Sequence, residues 1–193
     1  MTPKPKMNPE DLLKAEYEYI AQTAYQANED RARGASFYFV SVGSIVAAIL
    51  GTQLTEDNLQ GVALAFFVLF TVMTVLGALT LAQLARLRAA WHESIEAMNV
   101  LKDFYLEHYP ELSPAFKWRK STIPFTDKPN SIANLTAVEV TLLGGLTAGT
   151  AVYFLLLLLG MANWLGFIGV AISAILGAII LWSYYKKLLV DNQ

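Results

Sequence analysis

The sequence predicts an all-α integral membrane protein, with four transmembrane helices as two antiparallel hairpins plus two cytoplasmic amphipathic helices. Three observations lead there. Lys, Arg, Asp and Glu are absent from residues 34–55, 58–85 and 140–185. The last stretch is long enough for two crossings at about 20 residues each. The links within each pair, 52–60 and 160–163, are short enough to require antiparallel neighbours. Finally, all 14 Lys and Arg fall on one side once the chain is threaded through four crossings.

Composition points the same way. Apolar residues make up 55% of the 193 and charged residues 16%, against roughly 25% charged in a soluble domain. The charge-free stretches are apolar around their whole circumference, whereas a soluble helix keeps a polar stripe. There is no cysteine, which removes disulfides, thiolate metal sites and cysteine nucleophiles. A net charge of −2 favours no polyanionic partner for the molecule as a whole. No cleaved signal peptide is expected, because residues 1–33 are polar and lack an apolar h-region.

Five segments follow in order: a cytoplasmic N-terminal amphipathic helix (1–34), a first transmembrane hairpin (35–84), a cytoplasmic helix with a basic, aromatic interfacial loop (85–135), a second transmembrane hairpin (136–187) and a cytoplasmic tail (188–193). Asn8 and Pro9 suit the start of the first helix, with Glu10 and Asp11 at the positive end of its dipole. Leu13, Tyr17, Ile20 and Ala24 form its apolar face, and Glu29 is spaced to pair with Arg33. Gly34 then separates it from the first span or lets it bend.

The spans are expected at about 35–54, 62–84, 137–159 and 163–185. Phe37, Tyr38 and Phe39 at the first boundary, and Trp182, Tyr184 and Tyr185 at the last, read as interfacial aromatics, with Trp164 at the opposite interface. Each span carries small residues four apart: Gly43, Ala47 and Gly51; Thr74, Ala78 and Ala82; Thr141, Gly145 and Gly149; Gly169, Ser173 and Gly177. Such stripes let helices approach closely, either inside one bundle or between protomers. All seven prolines lie outside the spans. Gly144-Gly145 is the one candidate for the broken helix of a transporter.

Orientation follows from the basic residues. Lys4, Lys6, Lys14, Arg31 and Arg33 precede the first span; Arg86, Arg88, Lys102, Lys117, Arg119, Lys120 and Lys128 lie between the hairpins; Lys186 and Lys187 follow the last. The positive-inside bias makes that side, and both termini, cytoplasmic, in the cell inner (plasma) membrane.

Beyond the second span the helix is expected to continue to about Tyr109, with Leu87, Trp91, Ile95, Met98, Leu101 and Tyr105 in one seam. That seam needs a partner, and Trp91, Ile95 and Met98 are the candidate contact. The N-terminal helix of the same chain is the simplest choice, another protomer or another protein the alternative. Farther on, Phe116, Trp118 and Phe125 interleave with Lys117, Arg119 and Lys120. This composition suits the surface of an anionic leaflet, and no nucleic-acid role is expected of so small a patch.

No catalytic, cofactor-binding or metal-binding residue emerges, and no enzyme is expected. His92 and Glu96, with Glu107 and His108 beyond, lack the second histidine of a zincin and the repeated Glu-x-x-His of di-iron bundles. Glu139 is the one acid near hydrocarbon depth. It reads as the far end of a capping box from Thr136, with an ion or proton role as the alternative. Ser41, Ser44, Thr71, Thr74, Thr147 and Thr150 can line a narrow aqueous path in an assembly, or bond back to their own helices.

Asn28-Glu29-Asp30-Arg31-Ala32-Arg33, followed by a small-residue span, a short acidic turn, a second span and a long cytoplasmic helix, resembles the SLATT-type two-span domain over about residues 10–110. The resemblance implies a bacterial membrane effector, pore-like in action, and transfers no functional residue. The second hairpin lies outside it. The expected function is thus a non-enzymatic, homo-oligomeric membrane effector or channel-like assembly, with an accessory or scaffold subunit of a larger membrane complex as the alternative.

Overall fold

A computed structural model describes residues 8–52, 58–116, 118–123, 125–126 and 128–191. The link residues 53–57, together with Lys4, Lys6, Lys117, Pro124 and the last two residues, lie outside that description. The described residues are helical apart from short connections: α1 (Pro9–Gly51), α2 (Leu59–His108), α3 (Ile132–Leu158) and α4 (Trp164–Asp191), with two 3-10 turns at Pro110–Ala115 and Lys120–Thr122. All four α-helices are long and apolar enough to cross a membrane.

Their lengths fall into two classes. With 27 and 28 residues, α3 and α4 run about 40 Å, one bilayer with its interfaces. With 43 and 50 residues, α1 and α2 run about 65 and 75 Å. Their surplus lies at the end where the basic residues sit, here called the basic end; the opposite one is the turn end.

Local signals set the boundaries. Asn8 accepts from the Glu10 amide at 3.2 Å with Pro9 in the first turn, as the sequence indicates. At the other end of the molecule, α3 closes in a Schellman arrangement. The Met161 amide donates to the Leu156 carbonyl at 2.8 Å and Gly160 to Leu157 at 3.2 Å, with Gly160 at φ 68°, where a side chain would be strained. Asn163 then accepts from the Gly166 amide at 3.0 Å and starts α4. Those contacts complete a link of very few residues.

Two expectations need correction. α1 passes through Gly34 without a break. A Cβ there would stand 3.0 Å from Gln83 Oε1, so glycine at this position permits close approach of α2 rather than a bend. α3 begins a turn earlier than expected, capped by Ser131, whose hydroxyl accepts from the Asn134 amide. Thr136 is already inside the helix and donates to the Ile132 carbonyl at 3.0 Å. The Thr136–Glu139 capping box therefore does not form. Glu139 is exposed on the side of α3, about 10 Å along its axis.

Packing centres on α2, which contacts α1, α3 and α4. Its buried residues Ala63, Phe66, Phe70, Met73, Gly77, Leu81, Leu84 and Ala85 follow helical spacing. At the turn end Phe66 and Phe70 pack on Phe154, with ring centroids 5.1 and 5.9 Å apart. Toward the basic end Tyr38, Val42, Leu81, Leu84, Val140, Leu181 and Tyr185 form a second cluster. Tyr38 and Tyr185 are 1% and 2% exposed, so they are core residues and not interfacial anchors. Phe37, Tyr184 and Trp164 do face outward, as membrane-surface aromatics would.

The small-residue stripes divide between two fates. Gly145, Gly149 and Gly177 are consumed where α3 meets α4: a Cβ at Gly145 would lie 2.6 Å from the Ala174 carbonyl, and one at Gly149 2.8 Å from Ala174 Cβ. Gly144 is equally crowded by Leu181, and α3 stays helical through the pair, so these glycines serve packing and no helix break. Gly43, Gly51 and Gly169 have open space where a side chain would be.

Gly145→Ala should accordingly cost about 1–3 kcal/mol by overpacking, while Gly43→Ala should stay within about 1 kcal/mol of wild type. Thermal unfolding in detergent separates the two, and equal midpoints would contradict the α3–α4 contact.

Candidate functional site

In the described part of the spans, many hydroxyls bond back to their own helices, whereas Thr141 Oγ1 is buried without a partner among the described residues. Ser41, Ser44, Thr71 and Thr150 each donate to the carbonyl four residues back at 2.8 Å. Thr74 does the same at 2.9 Å and meets Thr147 across the α2–α3 contact at 3.1 Å. Thr147 in turn donates to Gly144. The hydroxyls considered as lining for an aqueous path are therefore each satisfied within the bundle, which accounts for their presence at hydrocarbon depth. The Tyr38 hydroxyl is buried beside Gly77 and Gly144.

Chemistry concentrates at the basic end. The extension of α2 presents Trp91, Ile95 and Met98 along one face, as their spacing indicates. The chain after α2 folds back over that face. Lys102 Nζ donates to the Trp118 carbonyl at 3.2 Å, while Arg119 binds Ser113 and Phe116 and shapes the turn. Between α2 and the returning segment lies a groove of about 450 Å³, walled by Trp91, Ile95, Met98, Trp118 and Ile123, with Lys102 at its edge. Part of the seam thus finds its cover in Trp118, Thr122, Ile123 and Lys128 of the same chain. Trp118 and Phe125 are 71% and 80% exposed, apolar side chains displayed on a basic surface.

Arg88 holds this arrangement together. Only 6% exposed, it donates through Nε to the Thr126 carbonyl at 3.1 Å and through Nη2 to Phe125 at 3.5 Å. Its guanidinium lies 4.5 Å from the centroid of the Trp91 ring, within cation–π range. Arg31 of α1 and Tyr185 of α4 lie close enough to act on it electrostatically. Burial, and then the neighbouring Arg31 charge, pull the Arg88 guanidinium below its ordinary range, with Tyr185 opposing. Burial lowers Arg31 likewise. The described residues supply neither arginine with an ion pair: the pairs formed are Lys14 with Glu18 and Arg33 with Asp30. Glu29, expected to pair with Arg33, accepts from the Tyr25 hydroxyl at 3.1 Å instead. Asp127 lies outside the described residues.

His92, Glu96, Glu107 and His108 are not gathered into a site. Glu96, Glu107 and His108 are exposed, and His108 Nδ1 contacts the Phe104 carbonyl of its own helix. Among the described residues no group of three His, Asp or Glu could hold a metal ion.

The sequence treats Arg88 only as one basic residue among many. One signal was present. The buried face of α2 steps through Gly77, Leu81, Leu84 and Ala85, and its next position at that spacing is Arg88, an arginine where a core residue belongs.

Compared with protein-family models, curated proteins and solved structures, the chain matches none.

Arg88→Met should free the returning segment while preserving the apolar stem. Losing a charge-assisted hydrogen bond worth about 1.5–3 kcal/mol should speed tryptic cleavage near Arg119 and Lys120 roughly tenfold. An unchanged cleavage rate would mean that Lys102 and the groove side chains hold the segment without Arg88.

Proposed function

We propose that this chain is a non-enzymatic multi-pass membrane protein that self-associates and acts as a homo-oligomeric membrane effector, channel-like in its assembled form. In this reading the four spans form two antiparallel hairpins in a bacterial inner membrane, and the basic end with both termini faces the cytoplasm. The positive-inside bias supports that orientation.

The observation that carries self-association is the outer face of α1. Gly43, Ala47 and Gly51 lie exposed at hydrocarbon depth, and neither glycine has an atom of the bundle where its Cβ would be. The equivalent glycines of α3 are filled by α4. A helix interface in lipid gains from backbones that approach closely, and within one protomer α1 leaves that face unused. The α1–α2 pair with its long basic-end extensions also has the arrangement that resembles SLATT-type effector domains. Since Ser41, Ser44, Thr71 and Thr150 bond back to their own helices, a conducting path in this reading runs between protomers.

Chemical cross-linking in membranes should trap oligomers that Gly43→Leu combined with Ala47→Leu returns to monomer. In liposomes the wild-type protein should pass ions or a small dye and the double variant should not. Vesicles that stay sealed at every protein density would remove the channel-like role.

A second reading, an accessory or scaffold subunit docking a protein partner, is favoured by the groove at Trp91 and the exposed Trp118 beside it. Trp91→Asp with Ile95→Asp should then release a co-purifying partner without changing the cross-linked state of the spans. An unaltered co-purifying set would eliminate it.

A further inference from the structure

Three helices converge where the basic end leaves the bundle: α1 brings Arg31, α2 brings Arg88 and α4 brings Tyr185. Two like charges in a partly desolvated place repel, and each has given up water. Native proteins compensate such pairs with an anion. Here the partners within the described residues are dipoles: the Thr126 and Phe125 carbonyls for Arg88, and the face of Trp91. Arg31 Nη1 is buried and has no hydrogen-bond partner among the described residues. Both helices bring their arginine just past their charge-free stretches, a few residues beyond the Gly34–Gln83 contact, which is the depth of lipid headgroups if the spans cross a bilayer.

We propose that Arg31 and Arg88 together bind a phosphate ester, and that Arg31 Nη1 is the donor reserved for it. A guanidinium fork matches two phosphate oxygens, and two forks from different helices enclose one phosphate. The mutual repulsion of the arginines becomes attraction to the shared anion. The pair is the kind of basic pocket between membrane helices that selects anionic headgroups. Tyr185, 2% exposed, belongs to the core of the bundle; an acyl-linked phosphate would enter from the surrounding lipid and a soluble one from the aqueous side. The site is independent of the self-association proposed above, and shares with it only the membrane setting.

The experiment uses full-length protein in neutral detergent, with native mass spectrometry for retained ligand and assembly mass, and thermal unfolding for stability. Three probes distinguish the sources: phosphatidylglycerol, inorganic phosphate and the phosphate-free lipid dioleoylglycerol. Phosphatidylglycerol should be retained by wild type and raise its unfolding midpoint, while dioleoylglycerol should do neither. Arg31→Gln should retain phosphatidylglycerol roughly tenfold less and lose the midpoint shift. In detergent alone it should be at least as stable as wild type, since a repelled buried charge is gone. Arg31→Lys, which keeps charge but not the fork, should fall between them. A midpoint shift reproduced by inorganic phosphate alone identifies a soluble ester as the ligand; a shift confined to phosphatidylglycerol identifies the lipid.

Lys14→Gln removes a charge that is 77% exposed and should change nothing. Equal losses in Lys14→Gln and Arg31→Gln would mean diffuse electrostatic attraction and overturn the site. So would an Arg31→Gln protein that responds to both phosphate probes as wild type does, or one that is destabilised equally with every probe. Because assembly mass is read from the same sample, loss of the oligomer and loss of the ligand are separate results.

Discussion

Inside hydrocarbon no water is present to satisfy a peptide group, so each span must close its own backbone hydrogen bonds and holds its neighbour by close packing and a few interhelical hydrogen bonds. The rest of this molecule depends on that constraint. Where α3 meets α4, Gly145 and Gly149 bring one backbone against Ala174 and Ala178, and Gly177 returns the contact against Ala148. α4 buries only Leu181, Tyr185 and Leu189, all toward the basic end, so through the rest of its span it depends on this small-residue contact and, near its start, on Phe167 stacked against Tyr153 at 6.0 Å. A larger side chain at Gly145 meets a backbone carbonyl that cannot move aside, which is why this contact tolerates less change than the aromatic packing at the turn end.

The same constraint explains why polar side chains in the spans are quiet. A serine or threonine at this depth needs an acceptor, and the carbonyl four residues back is always within reach. Ser41, Ser44, Thr71 and Thr150 take that solution. Thr74 and Thr147 add a bond between helices, which locks register at a place where apolar contacts alone allow sliding. Polarity in these spans is spent on holding the bundle, and little remains to line a passage through a single protomer.

The spans were legible in the sequence because the bilayer imposes one plain rule, the absence of charge over about 20 residues, and 34–55, 58–85 and 140–185 obey it. The start of α1 was legible too, since Asn8-Pro9 is a local signal. What escaped were features decided by tertiary contact. Gly34 reads as a break, yet it faces Gln83. Tyr38 and Tyr185 read as interfacial aromatics because that is where such residues gather, whereas neighbouring helices bury both. Thr136 and Glu139 have capping-box spacing, but Ser131 lies earlier and its cap takes effect first. The basic-end seam was visible as a face lacking cover; that Trp118, Thr122, Ile123 and Lys128 supply part of the cover depends on Arg88 and Lys102 reaching carbonyls many positions away.

Arg88 shows how a charge can serve the fold and still leave a demand unmet. Its stem continues the apolar face of α2, its ring contact with Trp91 shields one side, and two carbonyls accept hydrogen bonds from it. Carbonyl dipoles satisfy hydrogen bonds but carry no net negative charge, so the field of Arg88 still extends to Arg31. A methionine or leucine at either position would have packed without that penalty, since buried charges cost more than apolar replacements of similar volume unless something compensates them. Two arginines placed together on different helices, with a donor buried and unpaired among the described residues, therefore set a demand that the proposed phosphate would meet.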